Sequence, residues 1–145
     1  MAAERIYYAT QQVAIAPELS ADYRPVRGAQ TVSFTENFPS EQIFQLGKLE
    51  IYATLENLPN IDMTVTKVLD GCVPAYLLAT RTAVLPTLIS RTQEQCKVAL
   101  SIFDVAQEEA SGTPLCTAEM SGYDVASLSY TFATEGAFQE SVGFV

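Results

Sequence analysis

The side chains that most often carry catalysis are scarce in this chain. It contains no histidine, which excludes Ser-His-Asp and Cys-His catalysis and every metal site that requires histidine. The carboxylate pair Glu108-Glu109 lies in a segment that we predict to be an exposed loop, where nothing would raise a carboxyl pKa toward neutrality. Lys67 and Lys97 fall within or at the start of predicted strands, and we expect both at a sheet margin rather than in a Schiff-base pocket.

The three cysteines do not form a recognisable redox or metal motif. Cys72, Cys96 and Cys116 are widely spaced and include no CxxC pair. Such spacing suits neither a zinc cage nor a disulfide framework, and three thiols cannot all pair within one chain. We therefore expect small buried hydrophobic residues in a reducing cytosol.

Binding motifs for phosphate and metal ions are missing from the sequence as well. The seven glycines form neither a GxGxxG nor a GxxxxGK[ST] pattern. Asp62 and Asp70 do not define a calcium loop, because Thr64 and Thr66 stand at the intervening ligand positions. The sequence predicts a protein that is not an enzyme and that has no cofactor and no metal.

Composition limits the class of protein further. The 145 residues are 48% apolar and 17% charged, which favours one folded domain over residues 1–145 rather than a disordered chain. Seventeen acidic against eight basic residues give a net charge of −9, which argues against tight binding of nucleic-acid phosphates. The N-terminus lacks an apolar signal core and no apolar run is long enough for a membrane helix, so we expect synthesis in the cytoplasm and no membrane partner.

Alternation of apolar and polar residues dominates the chain, with many β-branched and aromatic side chains. A period of two is typical of strands that bury one face and expose the other. The predicted strands are residues 6–16, 31–35, 61–69, 98–103 and 126–132. One short helix is predicted at residues 74–80, where Pro74 suits the first turn. The fold class is mainly β: an antiparallel β-sandwich or barrel with one short helix and a long apolar loop.

That long loop, residues 36–60, is unusual because surface loops are normally polar. It is too apolar for disorder and too long for an ordinary connection in a compact domain. Its large apolar side chains are Phe38, Ile43, Phe44, Leu46, Leu49, Ile51, Tyr52, Leu55 and Leu58. Two interpretations stay open: the segment packs into the domain's own core, or it buries these side chains on a partner. Gly47 is expected to form a turn that a Cβ would obstruct.

An ordered set of short motifs runs through most of the chain. The motifs occupy residues 28–35, 44–47 (FQLG), 51–52, 58–65, 125–132, 135–138 and 140–142. Their order and spacing resemble tail tube proteins of tailed bacteriophages, in particular the tube subunits of contractile-tailed phages and related injection machines. Gln45 departs from the family pattern, which often has Glu there. The chain also ends within a predicted apolar strand that is expected either to pair with a neighbouring subunit or to be incomplete.

The resemblance implies a virion structural protein rather than a catalyst. It implies rings of six subunits whose inner sheets join around a central channel, and rings that stack into a tube through which DNA is ejected. The implied partners are further copies of the chain, sheath, tape-measure and baseplate or terminator proteins, with DNA passing without specific binding. The implied location is the virion tail. The alternatives are a tube-end or adaptor protein of the same fold, or a small acidic β-barrel binding protein.

The resemblance and the apolar loop together predict which side chains join the subunits. The predicted interface residues are Phe38, Ile43, Phe44, Leu46, Gly47, Ile51, Tyr52 and Leu55. The channel wall is predicted to present acidic residues more than Lys or Arg, because each cation facing a phosphate would slow the passage of DNA. Two polar strand faces are candidates for that wall, one bearing Ser127, Ser129 and Thr131, the other bearing Asp62, Thr64 and Thr66.

Overall fold

The computed structural model describes residues 8–82, 87–104 and 110–145. A 3-10 turn at Tyr8–Thr10 leads into the first strand. The strands are β1 Gln11–Pro17, β2 Arg24–Pro25, β3 Ala29–Asn37, β4 Ser40–Phe44, β5 Ile51–Glu56, β6 Asn60–Val68, β7 Cys96–Ile102, β8 Cys116–Tyr123, β9 Val125–Thr131 and β10 Gln139–Phe144. The helices are α1 Ala75–Ala79 and α2 Leu88–Arg91.

Two four-stranded antiparallel sheets form the body of the chain. Sheet 1 has the strand order β2-β1-β7-β8, and sheet 2 has the order β3-β6-β10-β9. The remaining strands, β4 and β5, pair only with each other. This arrangement confirms the predicted mainly β, antiparallel class, with two short helices instead of one.

The core lies between the two sheets because each sheet turns alternate apolar side chains inward. Its buried positions include Ile15 and Val98 of sheet 1, Val65 and Val142 of sheet 2, and Leu78 of α1. The two sheets also meet through the rings of Tyr123 and Phe144, which contact edge to face with centroids 6.1 Å apart. The core is therefore closed by strands from both halves of the chain.

Most predicted strands lie where the alternation places them, as β3, β6, β7 and β9. Of the strand predicted at residues 6–16, residues 6–7 lie outside the described part of the chain, residues 8–10 form the 3-10 turn, and the strand runs from Gln11. Strand β8 was not predicted, since it is an almost wholly exposed edge strand without clear alternation. Helix α1 confirms the predicted helix. Helix α2 was not predicted, because Ser90 stands where a capping box usually has Glu or Gln.

Residues 36–60 are a β-hairpin and not the irregular loop that the sequence predicted. Strand β3 continues to Asn37, β4 pairs with β5, and a bulge lies between Ile43 and Phe44. Gly47 lies in the turn, as predicted, with a φ of 87°, a left-handed conformation that favours glycine. The expectation that a Cβ would be obstructed there is wrong, because no neighbouring atom lies within 4 Å of its position; glycine is favoured by the backbone conformation alone. The base of the hairpin is closed by a hydrogen bond in which the Asn57 N–H donates to the Pro39 carbonyl at 3.0 Å.

Strand β10 takes a central place in sheet 2. It pairs with β6 on one side and β9 on the other. The expectation that this strand pairs with a neighbouring subunit is therefore wrong, because both of its hydrogen-bonding edges are used within the chain.

The expectation that Lys67 lies at a sheet margin is also wrong. Lys67 and Glu140 are directly opposite each other on β6 and β10, and both side chains are fully buried. The Lys67 ammonium donates to the Val73 carbonyl at 3.1 Å and lies 3.9 Å from a carboxylate oxygen of Asp70. The pattern of the strand could not show this, because Lys67 follows Met63 and Val65 on the core face and is covered by residues that come later in the chain.

The Glu140 carboxylate binds the first turn of α1. One oxygen accepts the Ala75 N–H at 2.7 Å, and the other accepts the Tyr76 N–H and the Tyr130 hydroxyl, both at 3.3 Å. Helix α1 starts after Pro74 without a side-chain cap of its own, so Glu140 supplies the acceptor from a distant strand. Sheet 2 and α1 are thereby joined through one buried carboxylate.

We predict that Glu140→Ala lowers the free energy of unfolding by about 3–5 kcal/mol, because it removes the acceptor of buried N–H groups and the acidic neighbour of Lys67. Glu140→Gln is expected to lose less, since the amide oxygen still accepts one bond. Urea unfolding followed by circular dichroism measures both. Glu56→Ala, at an exposed hairpin position, is the control and should change stability by no more than about 0.5 kcal/mol. Equal losses for Glu140→Ala and the control would contradict the role of the buried carboxylate.

Candidate assembly surfaces

The hairpin of β4 and β5 leaves its large apolar side chains uncovered. All nine are exposed, and Leu46 and Leu49, on either side of the turn, have essentially no cover. Within the described part of the chain, β4 and β5 make substantial contacts only with each other. We call residues 38–58 the apolar hairpin.

Both faces of the apolar hairpin carry apolar side chains. Ile43 lies opposite Ala53, and Phe44 lies opposite Ile51 beyond the bulge. Because successive residues of a strand point to opposite faces, Ile43 and Phe44 lie on different faces. The structure thus brings all eight predicted interface residues onto one element and leaves neither face of that element buried. Their contact with a partner stays a prediction.

The outer face of sheet 2 is covered with small hydroxyl side chains. The register aligns Ser33, Thr64, Gly143 and Ser127 in one row, and Thr31, Thr66, Ser141 and Ser129 in the next. The face is completed by Thr35 with Asp62 at one end and by Val68, Gln139 and Thr131 at the other. We call this the hydroxyl face. The two polar strand faces identified in the sequence are therefore parts of one surface.

The hydroxyl face is smooth and weakly charged. Asp62 is its one ionisable side chain among these aligned strand positions. Gly143 keeps the surface close to the backbone, because a Cβ there would come 2.4 Å from the Ser127 hydroxyl oxygen. The strands at its two edges, β3 and β9, each pair on one side only with strands of the described chain.

Three aromatic rings form an exposed cluster that the sequence did not predict as a unit. Tyr130 stacks on Phe132 with centroids 6.3 Å apart, and Phe132 meets Phe138 edge to face at 5.3 Å. We call these three residues the aromatic cluster. Burial, followed by the charge and hydrogen bond of Glu140, raises the pKa of the Tyr130 hydroxyl. The signal in the sequence was the alternation of Leu128, Tyr130 and Phe132, which continues one residue beyond the end of β9.

The residues considered for chemistry are dispersed. Glu108-Glu109 lies outside the described residues. Lys97 is half-buried near the start of β7. Across residues 8–82, 87–104 and 110–145, no group of three or more Cys, Asp or Glu side chains could hold a metal ion. The helices of this same portion are all too short to span a membrane.

The cysteines differ in burial, so the expectation that all three are buried is wrong. Cys96 is buried, Cys72 is partly buried and Cys116 is exposed on the edge strand β8. Burial, with the charges of Asp124 and Glu18, raises the pKa of the Cys96 thiol to about 12.

No protein-family model matches this chain, and no curated sequence relative matches it. Solved structures do. A chain of the tube-terminating cap of the anti-feeding prophage aligns with 99% of this chain and 88% of its own length, at a TM-score of 0.66 and 13% identity. A chain of the sheath-tube complex of the PVC extracellular contractile injection system aligns with 97% of this chain and 86% of its own length, at a TM-score of 0.64 and 12% identity. A chain of the SPP1 tail tube aligns with 97% of this chain and 74% of its own length, at a TM-score of 0.62 and 12% identity.

The chain has a tail-tube-like fold. The likeness extends over nearly the whole described sandwich and hairpin, while identities of 12–13% mean that it is a likeness of fold. The resemblance inferred from the order of motifs is thereby confirmed at the level of architecture. Among the surfaces left without a partner in the described chain are the apolar hairpin, the two edges of sheet 2 and the aromatic cluster; sheet 1 also has two open edges, β2 and β8.

We predict that Cys116 reacts with a thiol reagent such as DTNB in the folded protein and that Cys96 does not. A thiol of pKa about 12 has a thiolate fraction at pH 8 roughly a thousandfold below that of an ordinary cysteine, and burial also blocks access. The measurement is the time course of thiol release with and without denaturant. Cys116→Ser should abolish the fast phase, and Cys96→Ser should leave it intact. Rapid labelling of Cys96 in the native protein would contradict the closed core.

Proposed function

We propose that this chain is a structural subunit that assembles into stacked rings, with six copies in each ring, to form the tube of a virion tail and a conduit for DNA. The observation that carries the proposal is the apolar hairpin, whose side chains are left uncovered by their own chain. The tail-tube-like fold supports it. On this proposal the protein is not an enzyme, and its further partners are sheath, tape-measure and baseplate or terminator proteins.

The size of the apolar hairpin suits a stable interface. Nine large side chains, each more than a third exposed, offer on the order of 1,000 Å² of apolar surface. A specific protein interface buries about 800 Å² on each partner. Soluble monomers rarely expose a contiguous apolar patch of that size. Burial on neighbouring copies would remove this surface from water without changing the sandwich.

The edges of sheet 2 support closure into a ring. An exposed strand edge presents unpaired N–H and C=O groups, and closed barrels remove such edges altogether. Pairing of β9 in one copy with β3 in the next would satisfy both edges. Repetition around a ring would join the hydroxyl faces into one continuous wall.

The hydroxyl face fits the inside of a DNA conduit. Its aligned strand positions include Asp62 and contain neither Lys nor Arg. Lys97 and Arg24 lie on sheet 1, and Arg81 pairs with Asp22 at 3.3 Å. A wall of small hydroxyl groups offers DNA no cation to hold its phosphates, which favours passage over binding.

A tube-end or adaptor protein is the second candidate function, because a chain of a tube-terminating cap is among the similar structures. Such a protein would form one ring and stop. Electron microscopy across a range of protein concentrations separates the two, since only a tube subunit forms stacks whose length grows with concentration.

We predict that Phe44→Ala and Leu46→Ala prevent tube formation and leave the subunit folded. Each truncation at a well-packed contact should cost roughly 2–4 kcal/mol, and every subunit of the tube repeats that loss. Electron microscopy measures assembly, and circular dichroism measures the fold. Leu19→Ala is the control, because Leu19 is equally exposed but lies outside the hairpin. Loss of the β-sheet signal together with assembly would place the hairpin in the domain's own core.

We also predict that Thr64→Lys makes the tube retain DNA. Thr64 lies in the middle of the hydroxyl face, so each ring would gain a circle of cations facing the channel. Wild-type tubes should leave a short oligonucleotide open to nuclease, whereas Thr64→Lys tubes should protect it at low salt and release it at high salt. Thr117→Lys, on sheet 1, is the control. We expect Thr64→Lys tubes to protect the oligonucleotide from nuclease, and Thr117→Lys tubes to bind it without protecting it. Protection by Thr117→Lys tubes and not by Thr64→Lys tubes would place the hydroxyl face on the outside of the tube.

A further inference from the structure

Sheet 1 has two edge strands, and they are protected unequally. Strand β2 is two residues long and includes Pro25, which has no N–H to donate. Strand β8 runs for eight residues, contains no proline and pairs only with β7 among the described strands. Natural proteins usually shorten, charge or cover an exposed edge, because its unpaired N–H and C=O groups bind other strands. The long edge of β8 has one charged side chain, Glu119.

The register shows which backbone groups of β8 are free. The Phe103 N–H donates to the Thr10 carbonyl at 2.8 Å, so residue 103 faces β1 and, by alternation, every second residue of β7 before it faces β8. The pairs that face each other in this way are Val98 with Met120, Leu100 with Ala118 and Ile102 with Cys116. The N–H and C=O groups of Thr117 and Glu119 therefore point away from β7, along the open edge.

We propose that the β8 edge is a docking site for an extended segment of a different protein, which adds to sheet 1 as a fifth strand. The occupant is a stretch that alternates apolar residues with polar residues, among them Lys or Arg. The inference rests on the proposed function in one step, the choice of a different protein over a second copy. The open edge itself does not depend on that function.

Symmetry argues against a second copy as the occupant. One edge of β8 is used by β7, so two β8 strands can meet only through the same edge, across a two-fold axis. The copies of a ring are related by rotation about its channel, whereas a two-fold contact ends after two copies. Pairing of β8 with β2 of a neighbour would need no two-fold axis, but β2 offers only Arg24 and Pro25.

The side chains of β8 define the alternation of the occupant. Met120 packs against the core, and Ala118 precedes it by two residues on the same face. Thr117 and Glu119 lie on the outer face and are exposed. An added strand would therefore place apolar residues beside Ala118 and Met120, and polar residues beside Thr117 and Glu119. Leu115, 64% exposed just before β8, extends the apolar side.

Charge selects a basic occupant. Residues 98–145 contain no Lys or Arg. Acidic residues stand along β8: Asp104 follows the end of β7 that pairs with Cys116, Glu119 lies within the strand, and Asp124 comes directly after it. Opposite charges on adjacent strands stabilise their pairing, so a Lys or Arg of the occupant would stand beside Glu119.

The probe for this site is a synthetic peptide, equal in length to β8, in which Val alternates with Lys or Thr. Fluorescence anisotropy of a terminal label measures its binding to the free chain, and co-sedimentation measures its binding to tubes. We expect saturable binding in both, with one peptide for each chain. Replacement of every Lys of the peptide by Glu should weaken binding at least about tenfold at low salt.

Two N-methylated peptides test whether backbone hydrogen bonds carry the binding. One has N-methyl groups on its Val residues and the other on its Lys and Thr residues, so each loses the N–H groups of one edge. Only one edge of an added strand faces β8, so one of the two peptides should bind at least about tenfold more weakly than the other. Equal binding of the two peptides would overturn strand addition.

The matching change in the chain is Glu119→Pro, which removes an N–H from the open edge, a position where proline is tolerated. Peptide binding should fall at least about tenfold, while the circular dichroism spectrum stays that of wild type. Glu119→Thr keeps the N–H and is the control. It should reduce the preference for the Lys peptide over the Glu peptide and retain the difference between the two N-methylated peptides.

The outcomes separate this inference from the proposed function. Tubes that form but bind no peptide overturn the inference and leave the tube function standing. Binding by the free chain and not by tubes also overturns it, because the edge would then be buried between copies. A chain that binds the peptide and forms no tubes contradicts the proposed function alone. A dimer of the free chain that Glu119→Pro abolishes would show that β8 pairs with itself, and would overturn the inference.

Discussion

The buried carboxylate of Glu140 is the point on which the arrangement of this chain depends. It lies on the central strand of sheet 2, opposite Lys67, and accepts hydrogen bonds from the start of α1 and from Tyr130. A buried charge without such partners would be strongly unfavourable. The positions of β6, β9, β10 and α1 are therefore coupled through this carboxylate. Through Tyr130, the same carboxylate fixes the orientation of the aromatic cluster. An interaction of the core thus determines the geometry of a surface at the end of the sheet.

Sheet 2 separates two roles by the alternation of its strands. Its inner face carries the apolar residues and the buried charges, and most residues of its outer face bear hydroxyl groups. Because strand side chains alternate strictly, one register fixes both faces at once. A slip by one residue would turn the hydroxyl groups into the core and the apolar residues outward. The register that stabilises the subunit is therefore the one that gives the proposed channel its chemistry.

Periodicity predicted the parts of the fold that depend on alternation, and it did so from local residues such as Val32, Val65, Val98 and Leu128. It did not predict β8, whose exposed edge position imposes no pattern, nor the hairpin of β4 and β5, whose apolar residues lie on both faces. The predicted interface residues do lie together on the hairpin, because they were chosen from one unusually apolar segment of the sequence. The burial of Lys67 could not be predicted, since it faces Glu140, which lies more than sixty positions later in the chain. The aromatic cluster could not be predicted either, because Phe132 and Phe138 lie just outside the two strands and meet only through the turn between them.

The central position of β10 has a consequence for the timing of folding. Strands β3 and β6 and the hairpin between them are synthesised before β9 and β10, so β6 gains its second neighbour only when residues 139–144 have left the ribosome. Thr66 and Ser141, which meet on these strands, are 75 residues apart, and pairings of such separation form slowly because a long loop must close first. Strand β9 likewise joins the sheet only through β10. The β9 edge of sheet 2 therefore forms only after β10 has paired with β6.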